Sequence, residues 1–238
     1  AVVPEGVHAL LAQTSLAAED YSTHPSAVAG GVAVYWHPLH HSNFGNITVP
    51  FRETVEAVGA HTTHNDTELF GAVEAALGGA LRFAHIDPAA RFANTGGHVV
   101  SPQQTEAVYE QLTELDVAVL RNAGCMAHLN CEASRNWFCN RYKTGQRLVN
   151  AFAVGLPAVL WHEQGFLDVV EGSAYPAVAR TVEEAAAWAR RLALDVEMRR
   201  ELRGLALRLA EPYALPRMSE RLALILADVV VGRVKIKK

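Results

Sequence analysis

The sequence lacks the features that mark several specialised classes of protein. Its 21 lysines and arginines are balanced by 25 aspartates and glutamates, so a net charge of −4 leaves no basic field for nucleic acid. No apolar run approaches the roughly 20 residues that a membrane-spanning helix needs. The best candidate, Leu222 to Val231, is short and contains Asp228. We therefore expect neither a nucleic-acid partner nor a membrane span.

Several motifs with known chemistry are also missing. There is no Walker loop, no GxSxG nucleophile elbow and no HExxH metal motif, and Gly78-Gly79 and Gly96-Gly97 lack a GxGxxG frame. Some of the histidines cluster around two loops, namely His37, His40, His41, His61 and His64. Without a fixed metal-ligand spacing they favour surface or hydrogen-bonding imidazoles over a metal site.

Cysteine is scarce, with only three residues, Cys125, Cys131 and Cys139, in one short window. An odd count excludes a fully paired monomer, and the clustering is compatible with a disulfide from Cys125 to either partner, a zinc site or free thiols. Two sequons begin at Asn46 and Asn65 and would be glycosylated only in a secretory pathway. These features tilt the compartment slightly from cytoplasmic to secretory, and they leave a secreted, disulfide-linked structural protein as one interpretation.

Short apolar strands alternate with amphipathic helices from Val55 onward. The predicted strands are 55–58, 81–86, 116–120, 158–161 and 176–179. The predicted helices are 67–77, 101–115, 143–154, 165–171, one from 181, 196–210 and 219–231. This order predicts an α/β fold with a Rossmann-like, doubly wound parallel sheet and C-terminal capping helices. Upstream, only two strands are predicted, at 7–13 and 32–36, with little helix between them.

The stretch from Lys143 to Trp161 is the most informative part of the chain. Apolar residues at helical spacing from Leu148 to Ala153 precede a Gly155-Leu156-Pro157 stop, and a short buried strand follows. So short a connection puts the helix start, with Lys143 and Thr144, near the carboxyl edge of the sheet. Ligands bind along that edge in open α/β sheets, and a helix N-terminus there favours anions.

The order of elements resembles the nucleotide-sugar-binding half of glycosyltransferases with the B-type, double Rossmann-like fold. The most specific match is Leu148-Val149-Asn150-Ala151 through Gly155-Leu156-Pro157-Ala158. It is similar to bacterial and algal glycosyltransferase-like proteins with the stretch Lys-Pro-x-x-Lys-Leu-x-Asn-Ala-x-x-x-Gly-Val-Pro-Ala. The resemblance covers about 55–213. It implies a transferase of the hexosyltransferase type that moves sugar from a nucleotide diphosphate sugar to a glycan or other hydroxyl acceptor, with no cofactor or bound metal.

The resemblance also implies a role for each of two parts of the chain. Residues 1–50 would be the remnant of an N-terminal acceptor-side domain, or a linker, and residues 51–238 the Rossmann-like donor-binding domain. A complete enzyme of this fold needs two domains of ~100–200 residues each. We therefore expect a partner domain or a homo-oligomer.

Five positions are implied as donor contacts. Gly59, in a loop after its strand, would lie beside the diphosphate or sugar, and Arg121 would project from a strand end toward the donor. Lys143 and Thr144 match the family's basic helix start and would contact phosphate. Asn150 lies about a turn or so further along the helix. The structural alternatives are solvated charges for Arg121 and Lys143, and a satisfied hydrogen-bonding role for Asn150.

Two residues are the catalytic candidates. His61 would lie near the diphosphate or sugar, and His61 or His37 is a reasonable general base because imidazole titrates near ~6.5. Glu163, just after its strand, would reach a ribose or sugar hydroxyl, with capping of the next helix as the structural alternative. Many retaining members carry Glu-x7-Glu where this chain has Tyr142 and Asn150. That difference keeps open a non-catalytic glycan- or nucleotide-binding module.

Overall fold

The computed structural model describes residues 7–41, 43, 46–61, 66–79, 81–86, 102–121 and 141–231, without the side chains of residues 61 and 102–105. Some sequence predictions lie outside the described residues. They concern the three cysteines, the sequon at Asn65, the loop residue His64 and the pair Gly96-Gly97. They stay predictions.

Strands and helices alternate through most of the described chain. The strands are β1 (Ala9–Ala12), β2 (Ala33–Trp36), β3 (Ala57–His61), β4 (Arg82–Ile86), β5 (Val117–Leu120), β6 (Ala158–Trp161) and β7 (Val178–Ala179). The helices are α1 (Ser15–Thr23), α2 (Pro25–Ala29), α3 (Thr67–Leu77), α4 (Pro102–Leu112), α5 (Gln146–Ala153), α6 (Gln164–Val170), α7 (Val182–Leu194), α8 (Val196–Ala210) and α9 (Leu215–Val230), with a 3-10 turn at Glu211–Tyr213.

A five-stranded parallel sheet, in the order β4-β3-β5-β6-β7, is the main sheet of the described residues. Strands β3 and β5 pair directly, with Val58 opposite Val117. Strand order therefore reverses between them, which makes the sheet doubly wound. The core contains buried residues of β5, α5 and α6, including Phe152 and Phe166. The predicted Rossmann-like α/β fold is confirmed, and the crevice between the carboxyl ends of β3 and β5 is the usual ligand position in such sheets.

The start of the main sheet differs from the sequence prediction. Strand β3 covers Ala57–His61 instead of 55–58, so Gly59 lies inside the strand and not in a loop. A Cβ atom on Gly59 would lie 2.0 Å from the carbonyl oxygen of Ala84 on β4. Glycine is thus required by the close approach of the two strands. The cap of α3 is Asp66, whose Oδ1 accepts from the N–H of Leu69 at 3.2 Å.

The first 50 residues contain more helix than predicted. Strands β1 and β2 form a separate two-stranded parallel sheet, and both α1 and α2 lie between them in the chain. Thr14 caps α1 by accepting from the N–H of Ala17, and His24 caps α2 by accepting from that of Ser26. The prediction of little helix was wrong because Ala17 is the one buried residue of α1, so the helix has almost no apolar periodicity.

Helix α9 returns from the main sheet to the first sheet. Arg221 donates a hydrogen bond to the carbonyl oxygen of Trp36 at 2.7 Å, and its guanidinium lies 5.0 Å from the centroid of that indole. Helix α9 begins at Leu215, earlier than predicted, with Pro216 in its first turn, where proline costs no helical hydrogen bond. Of the helices described, none combines the length and apolar character required to traverse a bilayer.

The connection between the two sheets is anchored by Arg199 of α8, which is 2% exposed. Its guanidinium donates to the carbonyl oxygens of Leu192 and Ala193 at the end of α7. It also donates to those of Arg52 and Glu53 in the connection. A single buried side chain therefore satisfies four backbone carbonyls and fixes the connection at the amino end of the main sheet.

Helices α5 and α6 begin side by side at the carboxyl edge of the main sheet. A Cβ atom on Gly145 would lie 2.1 Å from the carbonyl oxygen of Gly165, and one on Gly165 would lie 2.2 Å from that of Lys143. Real Cβ atoms do not approach so closely, so both positions require glycine. Arg147 in the first turn of α5 donates to the carbonyl oxygen of Arg121 at 3.4 Å, which ties the helix start to the end of β5.

Replacing Arg199 with methionine should lower the free energy of unfolding by about 2–4 kcal/mol, because four buried carbonyls lose their donor. Urea denaturation followed by circular dichroism measures the change. Arg200→Met is the matched control, since the Arg200 side chain is 47% exposed and its ion pairs lie at the surface; it should cost less than about 1 kcal/mol. Equal losses in the two variants would contradict the anchoring role.

Gly145→Ala should lower the free energy of unfolding by about 1–3 kcal/mol, because the methyl group overpacks the contact with Gly165. Backbone strain is no part of this effect, since Gly145 has a φ of −77° that alanine adopts readily. Gly71→Ala in α3 is the control, with no atom within 4 Å of its Cβ position. It should raise stability by about 0.5–1 kcal/mol. Thermal and urea melts that rank the two variants the other way would refute the close contact.

Candidate functional site

The carboxyl edge of the main sheet gathers most of the polar side chains predicted for the site. Arg121 follows β5, and Asp66 lies between β3 and α3. Further along the edge, residues at the ends of β6 and β7 and at the start of α5 join them: Trp161, His162, Glu163, Arg180, Lys143, Thr144 and Arg147. This edge includes the reversal of strand order between β3 and β5, so we take it as the candidate site.

Arg121 is held between a carboxylate and an aromatic ring. Its Nη1 lies 3.2 Å from Oδ2 of Asp66, and its guanidinium carbon lies 4.1 Å from the centroid of the Trp161 ring. The side chains of Arg121 and Asp66 are only 16% and 14% exposed. The alternative of an ordinary solvated charge is therefore wrong for Arg121, whose guanidinium is fixed at the point where strand order reverses.

The pairing of Arg121 with Asp66 bears on anion binding. Among the described side chains, two buried polar atoms lack a hydrogen-bond partner, and Oδ2 of Asp66 is one of them. Attraction between the charges therefore holds the pair together without a well-directed hydrogen bond. A phosphate that approaches Arg121 would compete with this carboxylate, and it would replace Asp66 only by forming better hydrogen bonds with the guanidinium.

Lys143 and Thr144 lie directly before α5, which begins at Gln146 and not at Lys143. Both side chains are half-buried. The hydroxyl of Thr144 accepts from the N–H of Gln146 at 3.2 Å, so it already contacts the helix start and can still donate its proton to another partner. The first N–H groups of any helix lack partners within the helix, and here they lie between Lys143 and Arg147.

Arg147 is the basic residue that sequence reasoning missed. It is half-buried in the first turn of α5, and its hydrogen bond to the carbonyl of Arg121 keeps its guanidinium at the carboxyl end of β5. The signal was present, because the second lysine of the Lys-Pro-x-x-Lys-Leu stretch corresponds to Arg147. Lys143, Arg147 and Arg121 thus lie around one helix start.

A second basic group, also absent from the sequence predictions, lies further along the edge. Arg180, directly after β7, donates from Nη2 to Nε2 of His162 at 3.1 Å. A guanidinium can only donate, so Nε2 of His162 is the acceptor in this hydrogen bond. Sequence reasoning had no signal for this pair, because it depends on the register between β6 and β7.

The predicted residues Gly59 and His61 both lie on β3. Gly59 is inside the sheet, where it allows the close approach of β4, so the expected loop position is wrong. His61 is the last residue of β3 and therefore lies at the carboxyl edge, near Asp66 in the chain. Its side chain lies outside the part that the structure describes. The roles of both residues toward a donor stay predictions.

Asn150 and Glu163 are engaged in the fold. Oδ1 of Asn150 accepts from the hydroxyl of Tyr109 on α4 at 3.0 Å, which is the structural alternative considered for this residue. Glu163 is 1% exposed and occupies the N-cap position of α6, where its backbone carbonyl accepts from the N–H groups of Phe166 and Leu167 while its side chain makes no capping hydrogen bond. The donor contact of Asn150 and the catalytic role of Glu163 remain predictions.

The histidines of the first loop pack against the C-terminal helices. His37 donates from Nε2 to the carbonyl oxygen of Met218 on α9 at 3.3 Å. Burial, together with the neighbouring His37, lowers the pKa of His40, and burial lowers the pKa of His41 as well. Over the described ranges, no three histidine, cysteine, aspartate or glutamate side chains converge as metal ligands.

Comparison with known proteins rests on structure. No protein-family model matches the sequence, and no curated protein matches it. A mutant of the Thermobaculum terrenum O-GlcNAc transferase matches with a TM-score of 0.53 and 13% identity, over 96% of this chain and 44% of that one. The pneumococcal O-GlcNAc transferase GtfA in complex with UDP and GlcNAc matches with a TM-score of 0.54 and 12% identity, over 94% and 46%.

The chain thus spans less than half the length of these two solved structures. Both are glycosyltransferases with the B-type fold, and at 12–13% identity the likeness concerns the fold. The resemblance inferred from the sequence is confirmed at this level. The chain has a glycosyltransferase-like fold of the B type.

Proposed function

We propose that the chain binds a nucleotide diphosphate sugar at the carboxyl edge of its main sheet, as the donor-binding part of a glycosyltransferase. The observation that carries this proposal is the gathering of Arg121, Lys143 and Arg147 around the start of α5. A diphosphate carries the charge and the acceptor oxygens that such a group of cations and helix N–H groups would bind. The likeness to two O-GlcNAc transferases supports it.

The proposed reaction transfers the sugar to a hydroxyl acceptor. A general base, for which His61 is the candidate, takes the proton of the acceptor hydroxyl. The oxygen then bonds to the anomeric carbon while the bond from that carbon to the diphosphate breaks. Lys143 and Arg147 stabilise the charge that develops on the departing diphosphate, together with the N-terminus of α5. Glu163 would contact a sugar or ribose hydroxyl only after a change in its buried side chain.

UDP-GlcNAc is the donor that we propose first. One of the similar structures is described as a complex with UDP and GlcNAc, and both are O-GlcNAc transferases. The proposal for Arg121 includes an exchange, in which a phosphate oxygen replaces Asp66 as the partner of the guanidinium. Stacking on Trp161 would keep the guanidinium in place during this exchange.

A non-catalytic nucleotide- or glycan-binding module is the second candidate. The observation that favours it concerns Tyr142 and Asn150, which occupy the two positions where many retaining enzymes carry glutamates. Tyr142 donates its hydroxyl to Asp20, and Asn150 accepts from Tyr109, so both side chains are engaged in structural contacts. Hydrolysis of UDP-GlcNAc by the chain, measured by the release of UDP, would favour the enzyme. Binding without turnover would favour the module.

UDP should stabilise the chain, by about 2.7 kcal/mol at a concentration of 100 times the Kd. Lys143→Ala and Arg147→Ala should each weaken UDP binding by roughly tenfold, which corresponds to about 1.4 kcal/mol. Thermal shift and isothermal titration calorimetry measure the two effects. Arg200→Ala is the matched control, since it removes one positive charge near Glu53 at the opposite end of the sheet. It should leave the affinity unchanged.

Two results would contradict the proposal in different ways. If UDP, GDP, ADP and their sugars all leave the thermal midpoint unchanged, the chain has no donor site and both candidate functions fail. If Arg200→Ala weakens binding as much as Lys143→Ala, the nucleotide responds to overall charge, and the start of α5 is not the phosphate site. Hydrolysis assays on the same variants then show whether any turnover depends on Lys143.

A further inference from the structure

The segment directly before Lys143 is held by Asp20 of α1, a helix that lies between the two strands of the first sheet in the chain. Arg141 contacts Asp20 of α1 through two oxygens, with Nη2 at 2.8 Å from Oδ1 and 3.0 Å from Oδ2. The hydroxyl of Tyr142 donates to the same carboxylate at 2.8 Å. In addition, the carbonyl oxygen of Arg141 accepts from the hydroxyl of Thr14 at 2.7 Å. Two consecutive residues of the donor-binding domain are thus fixed by α1 and its cap.

Helix α6, on the other side of the contact between Gly145 and Gly165, also binds α1. Asp168 of α6, which is 7% exposed, accepts from the backbone N–H of Ser15 at 2.8 Å and from the Ser15 hydroxyl at 2.5 Å. Gln164 at the start of α6 donates to this carboxylate at 2.7 Å. The N-terminus of α1 is therefore capped by an acidic side chain from the donor-binding domain. Both helices that meet through Gly145 and Gly165 are joined to α1.

The chemistry of the Asp20 contact favours a fixed geometry. A carboxylate bound by a planar guanidinium through both oxygens has a defined orientation, which a single point charge does not provide. The Arg141 guanidinium keeps the pKa of Asp20 below its usual range, so the carboxylate is charged at neutral pH. The ring of Tyr142 also lies nearly parallel to that of Tyr21, with 17° between the planes and 6.4 Å between the centroids. These contacts define the direction in which the chain enters Lys143 and α5.

We infer that Asp20 is a positioning residue for donor binding, which acts through Arg141 and Tyr142 on Lys143 and the start of α5. This inference rests on the proposed function, since Lys143 and the helix start are the proposed phosphate contacts. Asp20 itself touches no donor. Residues 1–50, interpreted from the sequence as a remnant of an acceptor-side domain or a linker, would thereby contribute to the affinity for the donor.

The test compares UDP affinity in the full chain by isothermal titration calorimetry at neutral pH. Asp20→Asn should weaken UDP binding about tenfold, because the amide cannot bind Arg141 through two oxygens. Tyr142→Phe removes one hydrogen bond and keeps the ring, so it should weaken binding by only about two- to threefold. The reversed pair, Asp20→Arg with Arg141→Asp, should recover most of the lost affinity. Glu211→Gln, which removes a carboxylate paired with Arg217 at the surface, is the matched control and should bind UDP like the parent.

Each outcome decides one question. A parent chain that binds no UDP removes the proposed function, and this inference with it. A parent that binds UDP while Asp20→Asn binds equally well overturns the inference and leaves the proposed function standing.

All titrations are made well below the unfolding midpoint of the least stable variant, so loss of folded protein cannot lower the measured affinity. If the reversed pair is as stable as the parent and yet binds as poorly as Asp20→Asn, Asp20 stabilises the fold without positioning the donor site. If Asp20→Asn does not fold, Tyr142→Phe and the reversed pair decide the question alone.

Discussion

The backbone contact between Gly145 and Gly165 is the constraint on which the candidate site depends. It brings the starts of α5 and α6 together at the ends of β5 and β6, with no side chain between them. The start of α5, which Lys143 and Thr144 precede, is therefore tied to the end of β5 through the hydrogen bond from Arg147 to the carbonyl oxygen of Arg121. Any larger residue at either glycine would separate the helices and disperse these groups along the edge.

The charges at the edge have partners within the fold. Arg121 is paired with Asp66 and covered by Trp161, and Arg147 donates to a backbone carbonyl. Such partners lower the cost of leaving guanidinium groups partly buried. The pairing with Asp66 also limits which anions could bind Arg121, because an anion must provide better hydrogen bonds than Asp66 does. A diphosphate, with several oxygens and more than one charge, meets that condition more readily than a single carboxylate.

Sequence reasoning succeeded where local pattern decides structure. Strand β6 and helix α8 have the predicted bounds, because apolar periodicity and the Gly155-Leu156-Pro157 stop are local signals. It failed where partners are distant in the chain. The pairing of Arg121 with Asp66, the hydrogen bond between Asn150 and Tyr109, and the packing of Gly59 against β4 all depend on strand order. Helix α1 was missed because its caps, and not an apolar stripe, define it.

The part of the chain that holds β1, β2 and α1 contacts the rest of the protein at both ends of the main sheet. Arg199 fixes the connection at the amino end, while Asp20 and Asp168 join α1 to the carboxyl edge, and α9 returns to Trp36. A rigid rotation of one part against the other would break contacts at both ends together. Small shifts of α1 alone would move the segment before Lys143, through Asp20, and the start of α6, through Ser15. The arrangement therefore favours local adjustment at the carboxyl edge over separation of the two parts, and it makes α1 part of the support of the candidate site.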